Sequence, residues 1–294
     1  MKKIIYDYNV VFKDNGNDNE NIIFCHGFNS SPKTFKLFEQ YWTKSNYYAL
    51  QFPGNNNVAP INDHEVSVYQ FAKLVIEFIE KNNLKNVTLI GHSMGGGTIS
   101  LAYKLRPDLF KKMVYIAPMN KTSLALADEY RNDYFPKTFD DFLVFLKSLY
   151  YDISTFTSNK LWMENARKNF NPNDYNNETI VKLGESLPVL ELHNKIEEGL
   201  NAITVPTILI LGEKDGVIRR EECLEYFKEH VKGIETTFIP KTYVSHLVAK
   251  TPSFRWVYFF CKKNIIYYTF MLKYDIIKTW RSRKMMQKDN EEHQ

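Results

Sequence analysis

Short apolar runs alternate with amphipathic stretches along most of this chain. Residues 3–12 alternate loosely and predict an edge strand, and residues 22–25 predict a buried one. Ser31 and Pro32 open a predicted helix over 33–44. A strand at 48–52 then leads into the loop Pro53-Gly54-Asn55-Asn56-Asn57. The clearest helix is 65–82, where Phe71, Leu74, Val75, Phe78 and Ile79 recur on one face. Strands at 86–90 and 113–117 bracket a helix at 97–106. The alternation then stops. Residues 121–200 hold no clear buried strand, only aromatic-rich helical patterns such as Phe139, Phe142, Phe145, Leu146, Leu149 and Tyr150. It resumes at Val205, with strands predicted at 207–215 and 235–239 and a last helix near 255–263. Such βα alternation predicts an α/β fold, a mostly parallel sheet with helices on both faces, whose strand order periodicity does not reveal.

Between the strand at 86–90 and the helix after it stands Gly91-His92-Ser93-Met94-Gly95-Gly96. Gly-x-Ser-x-Gly between strand and helix is a sharp turn that presents the serine Oγ at a helix N-terminus. The flanking positions Gly91 and Gly95 must be nearly side-chain-free, because anything larger would strike neighbouring backbone. A nucleophile whose attack creates negative charge suits that place.

Three further segments fit the motif. The strand 22–25 ends in His26-Gly27-Phe28, the strand 207–215 ends at Asp215, and His246 follows the strand 235–239. On these residues the chain resembles the α/β-hydrolase family over most of 1–263. The resemblance implies a core from 1–120 and 201–263, a helical cap inserted at 121–200, and a C-terminal extension at 264–294. It implies Ser93 as nucleophile, His246 as base and Asp215 as the acid orienting it, in the family's chain order. The backbone N–H groups of Phe28 and Met94 would form the oxyanion hole, supported by His26, Gly27, Gly91 and Gly95. Glu213 is the rival to Asp215. Of seven histidines, His26 and His92 read as structural, and His64, His193, His230 and His293 lack the post-strand location.

Composition adds limits. At 294 residues and 44% hydrophobic, the chain can bury a large core, and a formal charge of +4 does not suggest nucleic acid. Cys25, Cys223 and Cys261 are widely spaced among apolar neighbours, so buried thiols are expected, and with them a reducing, cytoplasmic setting. No metal-ligand spacing occurs and no cofactor is implied. The N-terminal segment meets Asp7 too early for a signal peptide, and no uncharged apolar run reaches about 18 residues. The abundance of asparagine, lysine, isoleucine, tyrosine and phenylalanine reads as nucleotide-composition bias without functional content. Residues 264–288 join Ile265, Tyr267, Phe270 and Leu272 to Trp280, Arg281, Arg283 and Lys284. They predict either a longer last helix packed on the domain or an amphipathic segment with weak affinity for an anionic membrane or a second subunit.

The expected activity is hydrolysis of a carboxylic ester, esterase- or lipase-like, through an acyl-enzyme. The partner is a small acyl or lipid-like ester. Epoxide hydrolases and haloalkane dehalogenases of this fold carry aspartate at the elbow, so Ser93 argues against both. Two alternatives stay open: a proline-type aminopeptidase, with Glu164, Asp174, Glu178 and Glu185 as amine-binding candidates, and a non-catalytic binding protein. The cap aromatics either pack the cap or line an acyl pocket.

Overall fold

The structure, a computed structural model, describes residues 3–239 apart from positions 151, 213, 214 and 216. His246, Glu213, Cys261, His293, the expected last helix and the extension 264–294 lie outside the described residues. Seven strands are present among the described residues: β1 (Val10–Lys13), β2 (Asn21–Cys25), β3 (Asn46–Leu50), β4 (Val87–His92), β5 (Phe110–Ile116), β6 (Thr207–Gly212) and β7 (Glu235–Ile239). They form one sheet in the order β1-β3-β2-β4-β5-β6-β7. Only β1 runs antiparallel, against β3. The other pairs are parallel, so β2, β4, β6 and β7 all end at the same edge. Every residue of β2, β3 and β6 is buried, as expected for parallel strands covered on both faces.

Eleven α-helices are described: α1 (Lys36–Tyr41), α2 (Val68–Lys81), α3 (Met94–Leu105), α4 (Ala127–Asp133), α5 (Phe139–Leu149), α6 (Ser154–Thr157), α7 (Lys160–Asn169), α8 (Asn173–Asn176), α9 (Glu178–Ser186), α10 (Leu190–Asn201) and α11 (Arg220–His230). The Ser67 hydroxyl caps α2 by accepting from the Gln70 N–H at 3.2 Å, and Phe71, Leu74, Val75, Phe78 and Ile79 bury the predicted face. Helices α4 to α10 stand between β5 and β6, the segment read as a cap.

Three expectations change. Only the end of 3–12 pairs as a strand. Earlier, Asn82 grips both backbone groups of Ile5, at 2.9 and 2.8 Å, and the Tyr6 hydroxyl donates to the Gln51 carbonyl at 2.8 Å. Side chains there take the place of a backbone ladder. The helix expected at 33–44 is a 3₁₀ turn, Pro32–Phe35, followed by the short α1. It stops at Trp42, whose backbone is extended and whose indole N–H donates to the Ser45 carbonyl at 2.9 Å. Helix α3 begins at Met94, three residues before the expected start, because Gly95, Gly96 and Gly97 lie inside it. Glycine is a poor helix former, but Gly95 faces the Cys25 carbonyl and Gly96 faces Pro118, which leave no room for a methyl group, and Gly97 lies against the side-chain ends of Met119 and Ile196.

Many asparagines hold particular backbone positions. Among the described residues, eight non-glycine residues have positive φ, and Asn29, Asn56, Asn57, Asn62, Asn83 and Asn86 are six of them. Asparagine tolerates the left-handed region better than most L-residues. Asn120, Asn159 and Asn177 each place a side-chain oxygen on a helix N-terminal amide.

Candidate active site

Ser93 joins β4 to α3 with φ 53° and ψ −122°. A serine in this region stores of order 1–3 kcal/mol of strain, which persists only where surrounding bonds enforce it. Here the Ser93 N–H donates to the Ile116 carbonyl at 3.0 Å, and the Ser93 carbonyl accepts from Gly96 at 2.7 Å and from Met119 at 2.9 Å. The two predicted steric limits are real. A Cβ on Gly91 would overlap the Gly95 backbone, and one on Gly95 would overlap the Cys25 carbonyl. The turn therefore brings α3 directly against β2. Ser93 Oγ does not cap its own helix and has no hydrogen-bond partner among the described residues.

Beside the elbow, His26 is fully buried. Its Nδ1 lies 2.8 Å from the Gly27 carbonyl and its Nε2 lies 3.1 Å from the Phe52 N–H. One tautomer satisfies both: Nδ1 carries the proton and donates, while Nε2 accepts. Burial pushes the imidazole down to about 4, with the Gly27 bond opposing and His92 assisting. The Gly27 carbonyl and the Phe28 N–H belong to one trans peptide, so they point in opposite directions. Holding the carbonyl therefore aims the amide. Neither the Phe28 N–H nor the Met94 N–H, in the first turn of α3, donates to a protein acceptor among the described residues. His92 is likewise pushed to about 4 by burial.

Asp215 lies three residues beyond β6. Its Oδ1 accepts from the Val217 N–H at 2.9 Å and the Ile218 N–H at 3.0 Å. The Tyr130 hydroxyl of α4 donates to the Val217 carbonyl. Burial, and then the Asp215 charge, raise the nearby Cys223 thiol above its ordinary range. Cys25 and Cys223 are both buried free thiols.

Ser93, Phe28 and Met94 open onto one pocket of about 750 Å³, counted with its solvent-open mouth. Its other walls are Met119, Ala127, Tyr130, Tyr134, Phe135, Gly184, Leu187, Pro188, Val217 and Ile218. Ser123, Arg131, Glu185 and His193 are its remaining polar residues. The expected aromatics do not line it. Phe142 packs with Phe139, Phe145, Phe170 and Tyr175 inside the cap, which favours packing for Phe139, Phe142 and Phe145. The cap's share of the lining comes from the 3₁₀ segment Lys121–Leu126, α4 and the residues around α9, whose proximity to Ser93 periodicity does not encode. Of the four acidic cap residues, Glu185 alone lines the pocket. His193 also reaches it, with Nε2 at 2.9 Å from the Leu187 carbonyl and its pKa lowered by burial.

A family model described as the α/β hydrolase fold matches residues 20–243. The chain belongs to this family. A Mycoplasma pneumoniae protein named "Putative esterase/lipase 2" is 30% identical over 223 residues, spanning 73% of this chain and 78% of that protein. "Putative esterase/lipase 3" of the same organism is 28% identical over 210 residues, 71% and 73% of the two chains. Among solved structures, a carboxylesterase from Bacillus subtilis matches with a TM-score of 0.66 at 16% identity, covering 89% of this chain and 91% of its own. In this α/β hydrolase, the elbow, the His26-Gly27-Phe28 loop and the Asp215 loop all leave C-terminal strand ends, where open α/β sheets form their ligand crevices. No helix among the described residues is long and apolar enough to cross a membrane.

Proposed function

We propose that this α/β hydrolase cleaves carboxylic esters of small or medium acyl chains through an acyl-enzyme on Ser93. One observation carries the reading. A serine hydroxyl without a partner among the described residues is held on a strained turn, beside two amides equally without one, in a mostly apolar pocket. The esterase and lipase names of the relatives support the same class.

The chemistry is a transfer in two halves. Ser93 Oγ attacks the ester carbonyl carbon while His246 takes its proton. The displaced carbonyl electrons form an oxyanion between the Phe28 and Met94 N–H groups, where losing one donor typically costs about 2.7–4 kcal/mol of barrier. The N-terminal end of α3 adds favourable potential for that charge. Collapse breaks the bond to the alcohol oxygen, which leaves with the proton from His246. Water then repeats the sequence: its proton goes to His246, its oxygen joins the acyl carbon, and Ser93 departs reprotonated. Asp215, its Oδ1 held by two amides, would orient and stabilise the imidazolium. The apolar walls suit an acyl chain.

A fluorophosphonate probe tests this reading. Labelling at Ser93, lost in Ser93→Ala, supports it, and folded protein that resists labelling sinks it. Because His193 also reaches the pocket, His246→Ala and His193→Ala belong in the same assay: loss of activity in the first alone supports His246 as base. Faster turnover of proline arylamides than of p-nitrophenyl esters would replace esterase with peptidase.

A further inference from the structure

The peptide that presents the Phe28 N–H is aimed from one side by His26. The peptide that follows is held by something else. The Asn29 N–H donates to the side-chain oxygen of Asn55 at 2.8 Å. Asn55 is fully buried, and its orientation is not adjustable, because its Nδ2 donates to the Pro53 carbonyl at 3.1 Å. The two peptide planes flanking the Phe28 Cα are thus pinned separately, one by an imidazole and one by an amide. That is what an N–H needs if it is to stand ready for a charge without a protein acceptor of its own.

Asn29 does more than accept this anchoring. It sits at φ 48°, and its side chain bonds both the 55–57 loop and the cap. Its Oδ1 accepts from the Asn56 N–H at 3.2 Å. Its Nδ2 donates to the backbone carbonyl of Asp174 in α8 at 2.9 Å. Asp174 is itself tied to the core, since its Oδ1 accepts from Asn57 at 2.9 Å, and Asn177 donates to the Asn57 side chain at 3.2 Å. The Phe28 ring meets the same cap from the pocket side, with Phe135 and Tyr134 ring centroids each at 6.0 Å.

We infer that Asn29 and Asn55 are positioning residues for oxyanion binding: Asn55 fixes the plane after Phe28, and Asn29 latches that loop to cap helix α8. This rests on the reading of Ser93 and Phe28 given above. Cap seating and amide geometry are thereby one equilibrium, because the residue after the donor bonds core and cap at once.

The test uses the full chain with Asn29→Gly, which keeps the left-handed backbone and the N–H but removes both side-chain bonds. Asn55→Ala removes the buried acceptor, and Asn83→Gly is a control at a distant left-handed position. Misplacing a catalytic group by about 1 Å costs roughly a hundredfold in rate. Asn29→Gly should therefore lower kcat on p-nitrophenyl butyrate, and the fluorophosphonate labelling rate, by about tenfold to a hundredfold, with KM within about twofold. Asn55→Ala should lower kcat and labelling rate in the same way, and Asn83→Gly should leave both at wild-type values. Wild-type kcat and labelling rate in Asn29→Gly, or a loss that follows only KM and melting temperature as in a merely structural role, overturns the inference while leaving the hydrolase reading intact. Should the wild-type chain neither label nor turn over esters, that reading fails instead, and the latch is judged by amide hydrogen exchange. Asn29→Gly must then accelerate exchange in 26–30 and 173–176 together, and unchanged exchange overturns it.

Discussion

At Ser93 backbone is held by backbone. Its N–H and carbonyl are bonded to Ile116, Gly96 and Met119, and its neighbours are glycines because carbonyls occupy the space a side chain would need. At Phe28, on the loop after the adjacent strand β2, backbone is held by side chains: His26, Asn55 and Asn29. Backbone restraint survives almost any sequence change that keeps the residues small. Side-chain restraint is lost one atom at a time. The elbow is consequently a motif, while the loop beside it depends on amides scattered across the chain.

The sharpest way to break this comparison is at the serine. Ser93→Ala should lose on the order of 10⁶ in kcat with an unchanged melting temperature, read by ester hydrolysis and calorimetry. Ser93→Gly should be equally inactive yet melt higher. Releasing of order 1–3 kcal/mol of strain outweighs the roughly 0.5–1 kcal/mol entropic cost of glycine. A lower melting temperature for Ser93→Gly would mean the turn is not strained.

Gly95→Ala comes next. The new methyl group meets the Cys25 carbonyl, and overpacking of this kind costs about 1–3 kcal/mol. At roughly 2–4 °C per kcal/mol for a large domain, melting should fall by several degrees and activity with it. An alanine variant with wild-type melting and turnover would show that α3 and β2 have slack.

Protons separate the two regions differently. His26 and His92 are held at about 4 by burial, against an ordinary histidine value near 6.5. Between those values the unfolded chain binds more protons than the folded one. Their contribution to stability is complete above about pH 6.5 and is lost as pH falls toward 4. The urea midpoint should decline through that window, and a flat midpoint to pH 4.5 would contradict buried neutral imidazoles. Activity should already fall below roughly pH 6–7, as the proposed base His246 protonates. The smallest effect lies in the cap. Leu187→Ala should shift acyl-length preference a few-fold in a p-nitrophenyl ester series. Phe142→Leu should change only stability, since Phe142 packs within the cap and does not line the pocket.

Much was legible because it is local. The Gly91-x-Ser93-x-Gly95 turn needs only its own residues and the strand and helix beside it, and the buried strands announce themselves as apolar runs. The early start of α3 was hidden because glycine opposes a helix locally, and only packing against Cys25, Pro118 and Met119 explains why it is there. The placement of the asparagines was hidden for the converse reason. Nothing around Asn29 or Asn55 in the sequence indicates that one is left-handed and the other fully buried.

Sequence alone determined the fold class and the reactive turn, because strand period and glycine sterics are properties of neighbouring residues, while Asp215 and His246 are candidates through the family resemblance. Tertiary structure decided which residues wall the pocket, which tautomer His26 adopts and what holds the Phe28 amide. Each of those depends on distances between segments far apart in the chain, and a hydrogen bond between residues 29 and 174 leaves no trace in either neighbourhood.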